Sequence, residues 1–151
     1  MEKHFQSVAL IRRMDGEHTR WLVKWDDRYQ HWKLVRSERL EAESFREVIL
    51  REVAWELDLD RKRDFAVSKM PRLCMEYVGS PPDHDGEMHI AVAFYMVPIY
   101  RAEALQRLES EEFLWINSEE LCRGKTSDDA EIDPQGVSWI NRWEVVQPWT
   151  R

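Results

Sequence analysis

The chain is expected to fold as a mixed α/β or α+β sandwich, on three observations. Strand-like segments open it, one amphipathic helix interrupts them, and further strands and helices follow. A length of 151 residues with 43% apolar content suits one compact domain, residues 1–151, built on one core.

In order, "HFQSVALIRR" and "TRWLVKW" are rich in β-branched and aromatic residues and flank "MDGEH", whose Asp15-Gly16 is a turn signal, so the pair reads as a hairpin. A turn at "DDRYQ" leads into "HWKLVR", and "SERLEAE" is polar without either periodicity, as a loop would be. In "SFREVILREVAWEL", Ser44 and Glu47 have capping-box spacing, and Phe45, Val48, Ile49 and Val53 recur at three- and four-residue steps. This predicts a helix over residues 44–58. Downstream, "FAVSKMPRLCMEYV" and "MHIAVAFYMVPIY" read as strands joined by the loop "GSPPDHDGE". "AEALQRLES" is a short helix and "EFLWI" a brief strand. "NSEELCRG" follows as a helical turn capped by Asn117 or Ser118 and left at Gly124, and "KTSDDAEI" is an exposed acidic loop. Asp133-Pro134 opens a last helix running to about Val146, with the i,i+4 pair Trp139 and Trp143 anchoring it.

No stretch reaches the ~20 apolar residues of a membrane span, and charges interrupt the opening "MEKHFQSVALIRRMDGEH" where a secretory signal has its apolar run. The reading is a cytoplasmic protein with no membrane partner. Cys74 and Cys122 lack zinc-site spacing and are too few for a disulfide framework, so they read as structural thiols. Net charge is −7, with both signs mixed along the chain, which argues against a nucleic-acid polymer as partner. A small phosphorylated molecule remains compatible, because a bound divalent cation reverses the sign an acidic site presents.

Residues 37–59, "SERLEAESFREVILREVAWELDL", resemble the signature of the Nudix hydrolases: a glycine, five residues, a glutamate, seven residues, then Arg-Glu-apolar-any-Glu-Glu-any-Gly-apolar. Glu43, Arg51, Glu52, Val53, Glu56 and Leu59 match it, whereas Ser37, Trp55 and Asp58 replace the first glycine, the first glutamate of the pair and the last glycine. "WLVKW" and "HWKL" before the motif and "EFLWINSEEL" after it extend the resemblance over nearly the whole chain. It implies an α+β fold with a Nudix-like mixed β-sheet between helices. It also implies cleavage of the pyrophosphate in a small nucleoside diphosphate derivative or nucleotide, with Mg²⁺ or Mn²⁺ as cofactor.

By the same resemblance Glu52 and Glu56 are metal ligands with Glu43 in support, and Arg51 orients a neighbouring carboxylate, so that Glu52, Glu56 and Arg51 form the catalytic set. Trp21 and Trp32, with Trp25 and Tyr29, flank the place where such a fold holds substrate, and their rings offer stacking faces. Core packing and a homodimer contact are the other uses open to them. Spacing alone leaves the glutamates open to a plainer reading, a solvated helix face with Glu47 and Arg51 as an i,i+4 ion pair.

The three departures have separate consequences. Trp55 cannot ligate Mg²⁺ and removes one negative charge. Ser37 sits in a stretch without glycine, so the loop must be reshaped. Asp58 tolerates the left-handed conformation and can still end the helix. A general base outside the motif has several candidates: Glu111, Glu112, Asp83, Asp85, Glu87, Asp128, Asp129 and Glu131, with His84 and His89 as further polar groups. Two functional classes follow. One is a divergent hydrolase; the other is a Nudix-like module without catalysis that binds a nucleotide-type ligand or a protein, with Trp55 filling space that a metal would occupy.

Overall fold

The computed structural model describes residues 1–81 and 85–150. Its framework is one mixed sheet. Strands β1 (Lys3–Asp15) and β2 (His18–Asp26) form the predicted hairpin, closed by Gly16 at φ 63°. Strand β3 (His31–Lys33) pairs with β2, and β4 (Arg36–Glu38) pairs antiparallel with β1. After helix α1 (Phe45–Leu57) come β5 (Leu73–Gly79) and β6 (Met88–Pro98), then helix α2 (Ala102–Arg107), strand β7 (Phe113–Ile116), and helices α3 (Ser118–Arg123) and α4 (Pro134–Arg142). The strand order is β3-β2-β1-β6-β5, with β7 on β2; β1 and β6 run parallel and the other pairs antiparallel.

The central strands are apolar on both faces, so each face needs a cover. Val8, Leu10, Val92 and Phe94 face one side and pack with Trp21, Leu34, Leu121, Trp139 and Ile140, which brings in α3 and α4. Ala9, Ile11, Ala93 and Tyr95 face the other and pack with Ile49, Val53 and Leu57 from α1 and Ala104 from α2. Each fully buried aliphatic side chain contributes roughly 1.5–3 kcal/mol. The result is the α+β sandwich that the sequence predicts. Among the described residues no helix is long and apolar enough to cross a membrane.

Helix α1 begins and ends as its sequence implies. Ser44 Oγ accepts from Glu47 N at 3.1 Å while the Glu47 carboxylate accepts from Ser44 N, completing the capping box. Asp58 closes the helix in the left-handed conformation, φ 51° and ψ 50°. Glu47 therefore caps, and does not pair with Arg51.

Three expectations need correction. "SERLEAE" is not all loop, because β2 pairs only with residues 12–15 of β1, and Arg36–Glu38 satisfies the edge left at Gln6–Val8. "FAVSKMPRLCMEYV" is a strand only from Leu73; Pro71 cannot donate to a ladder, and upstream only an isolated Phe65–Ile99 bridge forms. The last helix stops at Arg142, with Trp143 turning edge-on to Tyr77 and Phe94 and Glu144 at φ 52°.

The α1–β5 connection is held by Asp64, whose side chain is 2% exposed. It accepts from Asp60 N at 2.8 Å and Arg107 at 2.9 Å, with Arg101 at 3.3 Å. The Asp60 amide, then the two guanidinium groups, hold its carboxyl below the ordinary aspartate range. A depressed folded pKa contributes stability that is present above the unfolded value and lost as pH falls through the folded one. Asp64→Asn should cost about 1–3 kcal/mol at neutral pH in urea unfolding and flatten part of the stability loss on acidification. An unchanged unfolding midpoint would contradict the assignment.

Candidate active site

Docking α1 through Val48, Ile49, Val53 and Leu57 leaves Arg51, Glu52, Trp55 and Glu56 on its outer faces. Arg51 is the hub. Its Nε and Nη2 donate to the two carboxylate oxygens of Glu43 at 2.8 and 2.9 Å, and its Nη1 donates to Glu52 Oε1. Leu40 N also donates to Glu43, at 3.0 Å. The Arg51 hydrogen bond draws the Glu43 carboxyl below the usual glutamate range, and the bond to Glu43 raises Arg51 in turn. Glu52 behaves oppositely: burial pushes its carboxyl up, Arg51 pulls it back, and the charge of Glu56 pushes it up again. That mutual influence agrees with an i,i+4 pair sharing one helix face. Glu56 is held by Lys24 of β2, whose Nζ lies 2.8 Å from Oε2.

Of the expected metal ligands Glu52, Glu56 and Glu43, each is ion-paired in this structure, Glu43 through both its oxygens. Both Glu43 oxygens are committed to Arg51, and no group of three or more acidic, histidine or cysteine side chains among the described residues could hold a metal ion. Glu52 and Glu56 still fit Mg²⁺ or Mn²⁺, because such ions commonly take one or two protein carboxylates, with substrate phosphates and water completing the shell. Arg51 ion-pairs with both Glu43 and Glu52.

The departures from the motif have visible outcomes. Trp55 is 78% exposed and edges an open hollow with Glu43, Arg51, Glu52 and Arg61. Ser37 pairs with Ser7 inside β4, and the reshaped loop takes its positive φ at Ala42, 68°.

Beside Glu56 lies a cleft of about 310 Å³ whose charged lining is Lys24, Arg28, Lys33 and Arg36 together with Asp26 and Asp27. Arg28, Lys33 and Arg36 also line a second cleft of about 500 Å³, together with Gln6, Tyr29, His31 and Trp139 and the acidic Glu38, Glu131 and Asp133. These three basic residues are shared by the cleft beside Glu56 and the aromatic, polar chamber. Arg36 is fixed there by Asp133, which accepts from its Nε and Nη2 at 2.7 and 2.9 Å and caps α4 through Gly136 N.

Of the aromatic candidates, Trp21 is corrected to a core residue: it is 5% exposed and its indole donates to Ser118 Oγ. Trp32 packs partly buried against the same core, edge-on to Trp25 at 5.3 Å, and lines neither cleft. Tyr29 does line the larger one, stacked on His31. Among the base candidates, Glu131 lines it too, while His89 is paired with Glu76 at 3.0 Å across β5 and β6. Asp83 and His84 lie outside the described residues.

Sequence reasoning missed Lys24, Lys33 and Arg36, and read Asp133 only as a helix cap. A signal was available for Lys24, which lies two residues from the buried Leu22 and so shares its inward face of the strand.

No family model and no curated protein matches the chain. Solved structures do. C. elegans Ap4A hydrolase is 11% identical with a TM-score of 0.60, covering 96% of this chain and 98% of that one. The E. coli ORF135 protein, at 17% identity and TM-score 0.59, covers 96% and 91%, and a mutT/nudix family protein from Listeria innocua, at 14% and 0.59, covers 96% and 94%. The architecture is thus a mixed sheet between helices shared with known hydrolase structures. The chain has the Nudix fold.

Because Trp55 is exposed, Trp55→Glu should change unfolding free energy by less than about 0.5 kcal/mol. A loss above ~2 kcal/mol would mean that the indole is packed rather than solvated.

Proposed function

We propose that the chain is a Nudix-type hydrolase that splits the pyrophosphate of a small nucleoside diphosphate derivative with the help of Mg²⁺ or Mn²⁺. The observation that carries this reading is that Arg28, Lys33 and Arg36 line both the cleft beside Glu56 and the adjoining aromatic chamber. A nucleoside diphosphate has the matching order of parts: a ring, a neutral linker and a run of negative oxygens.

Each residue then has a task. Lys33 makes no ion pair with a described residue, yet acts on Glu52 through its charge, so it is available to a phosphate oxygen. Arg36, rigid on Asp133, presents a fixed guanidinium to the same group. Glu52 and Glu56 would hold the divalent ion, which supplies charge neutralisation on the diphosphate and a more acidic water. Arg51 keeps Glu52 oriented and holds Glu43 out of the site. Lys24 neutralises Glu56 when no other cation is present, which keeps the acidic pair from repelling an approaching anion.

One observation favours a second reading, a ligand-binding module without turnover: every carboxylate of the set already has a basic partner, Glu43 and Glu52 in Arg51, and Glu56 in Lys24.

A panel of nucleoside diphosphate derivatives assayed with Mg²⁺ and Mn²⁺ separates the two. The hydrolase reading expects turnover of at least one member and a loss of roughly 100-fold or more in Glu52→Gln. That variant should lose less than about 1 kcal/mol of stability, since burial already disfavours the Glu52 charge. Nucleotides that raise the melting temperature while no member is hydrolysed would establish the second reading instead.

A further inference from the structure

Lys24 holds Glu56 at two atoms. From β2 its Nζ donates to Glu56 Oε2 at 2.8 Å and to the Glu56 backbone carbonyl at 3.2 Å. That carbonyl is among the last of α1, which have no partner within the helix, and α1 carries no basic residue in its own last turn. Lys24 therefore answers the negative end of the helix as well as the carboxylate. Its ammonium has more than one donor and its stem is flexible, so the carbonyl contact does not depend on the carboxylate contact.

The carboxylate contact stands where another cation is expected. Glu56 belongs to the pair assigned to Mg²⁺ or Mn²⁺, and two cations within bonding distance of one oxygen repel each other. The side chains of Lys24 and Glu56 are 28% and 35% exposed, so the pair lies at the wall of the cleft and not in the core. An ammonium released from Oε2 keeps its carbonyl tether and stays on that wall, beside Lys33, Arg28 and Arg36. The acids of the cleft are engaged elsewhere: Asp27 accepts from the Trp25 indole, and Asp26 from the amides of Arg28 and Tyr29. An anion entering the cleft supplies the new acceptor.

We propose that Lys24 is an exchangeable counterion, which occupies Glu56 until a divalent ion takes the carboxylate and then donates to a phosphate of the bound ligand. The inference rests on the metal and diphosphate reading of the same site and adds how the two are coupled. One cation serves both states: Glu56 is never left uncompensated, and the anion gains the Lys24 donor only once the metal position is filled.

Mn²⁺ dissociation constants from electron paramagnetic resonance, without nucleotide, are compared in wild type, Lys24→Met and Lys33→Met. Removing any nearby cation tightens ion binding, and Lys33→Met measures that general effect, because Lys33 acts on Glu52 through its charge alone. Lys24→Met should bind Mn²⁺ about tenfold or more tightly than wild type, and at least about threefold more tightly than Lys33→Met. In wild type, Mg²⁺ should speed acetylation of Lys24 by acetic anhydride about threefold or more, read by mass spectrometry, with the exposed Lys62 as unchanged reference. Inorganic pyrophosphate added with Mg²⁺ should reverse that rise. Mn²⁺ binding in wild type with no larger gain in Lys24→Met than in Lys33→Met, Lys24 acetylation indifferent to Mg²⁺, or a rise that pyrophosphate leaves in place would overturn this proposal alone. Absence of Mn²⁺ binding from all three proteins would sink the metal reading together with it. If Lys24→Met does not fold, the wild-type labelling decides.

Discussion

Everything at the candidate site depends on how α1 is seated. Its seam of Val48, Ile49, Val53 and Leu57 is buried against the sheet, and its two ends are pinned, by the Ser44–Glu47 box and by the left-handed Asp58. A helix fixed in rotation and along its axis has no freedom left in its outer residues. Glu52 and Glu56 must stand on one flank near Lys24 and Lys33, Arg51 must reach back to the loop, and Trp55 must look outward. A slip of one residue would bury Glu52 or Glu56 and expose the seam.

Charge compensation is the second theme. An acidic helix face beside a phosphate site would repel its ligand, and here Lys24 and Arg51 neutralise it while Arg28, Lys33 and Arg36 supply the attraction. Glu43 shows the limit of motif matching. It stands in register with the family's glutamate, yet its two oxygens serve Arg51 and position the helix start against the loop.

Local chemistry was legible in the sequence where it acts over a few residues. The capping box, the Asp58 terminus, the Asp15-Gly16 hairpin and the Asp133-Pro134 helix start all rest on contacts within one or two turns, and all are present. What was not legible depends on partners distant in the chain. Strand β4 exists because β1 has an unfilled edge, and Trp21 is buried because α3 covers it. The Arg36–Asp133 pair joins residues 97 apart. Gln6 and His31 stand out in the sequence only as polar residues at strand positions, and the cleft they line is completed by Glu131, Asp133 and Trp139, distant in the chain. The early end of α4 follows from Trp143 packing on Tyr77 and Phe94, again a long-range contact.

A two-carboxylate site completed by substrate oxygens makes metal and nucleotide mutually dependent, since each improves the other's affinity by the same factor. Mn²⁺ binding followed by electron paramagnetic resonance, with and without a non-hydrolysable nucleoside diphosphate analogue, measures that coupling directly. Glu52 and Glu56 acting as the protein's ligands predict that the analogue tightens Mn²⁺ binding by about tenfold or more beyond its own affinity for the ion, and that Glu52→Gln abolishes the gain. Mn²⁺ affinity unchanged by the analogue, or a gain that persists in Glu52→Gln, would contradict the assignment of this helix face as a metal site.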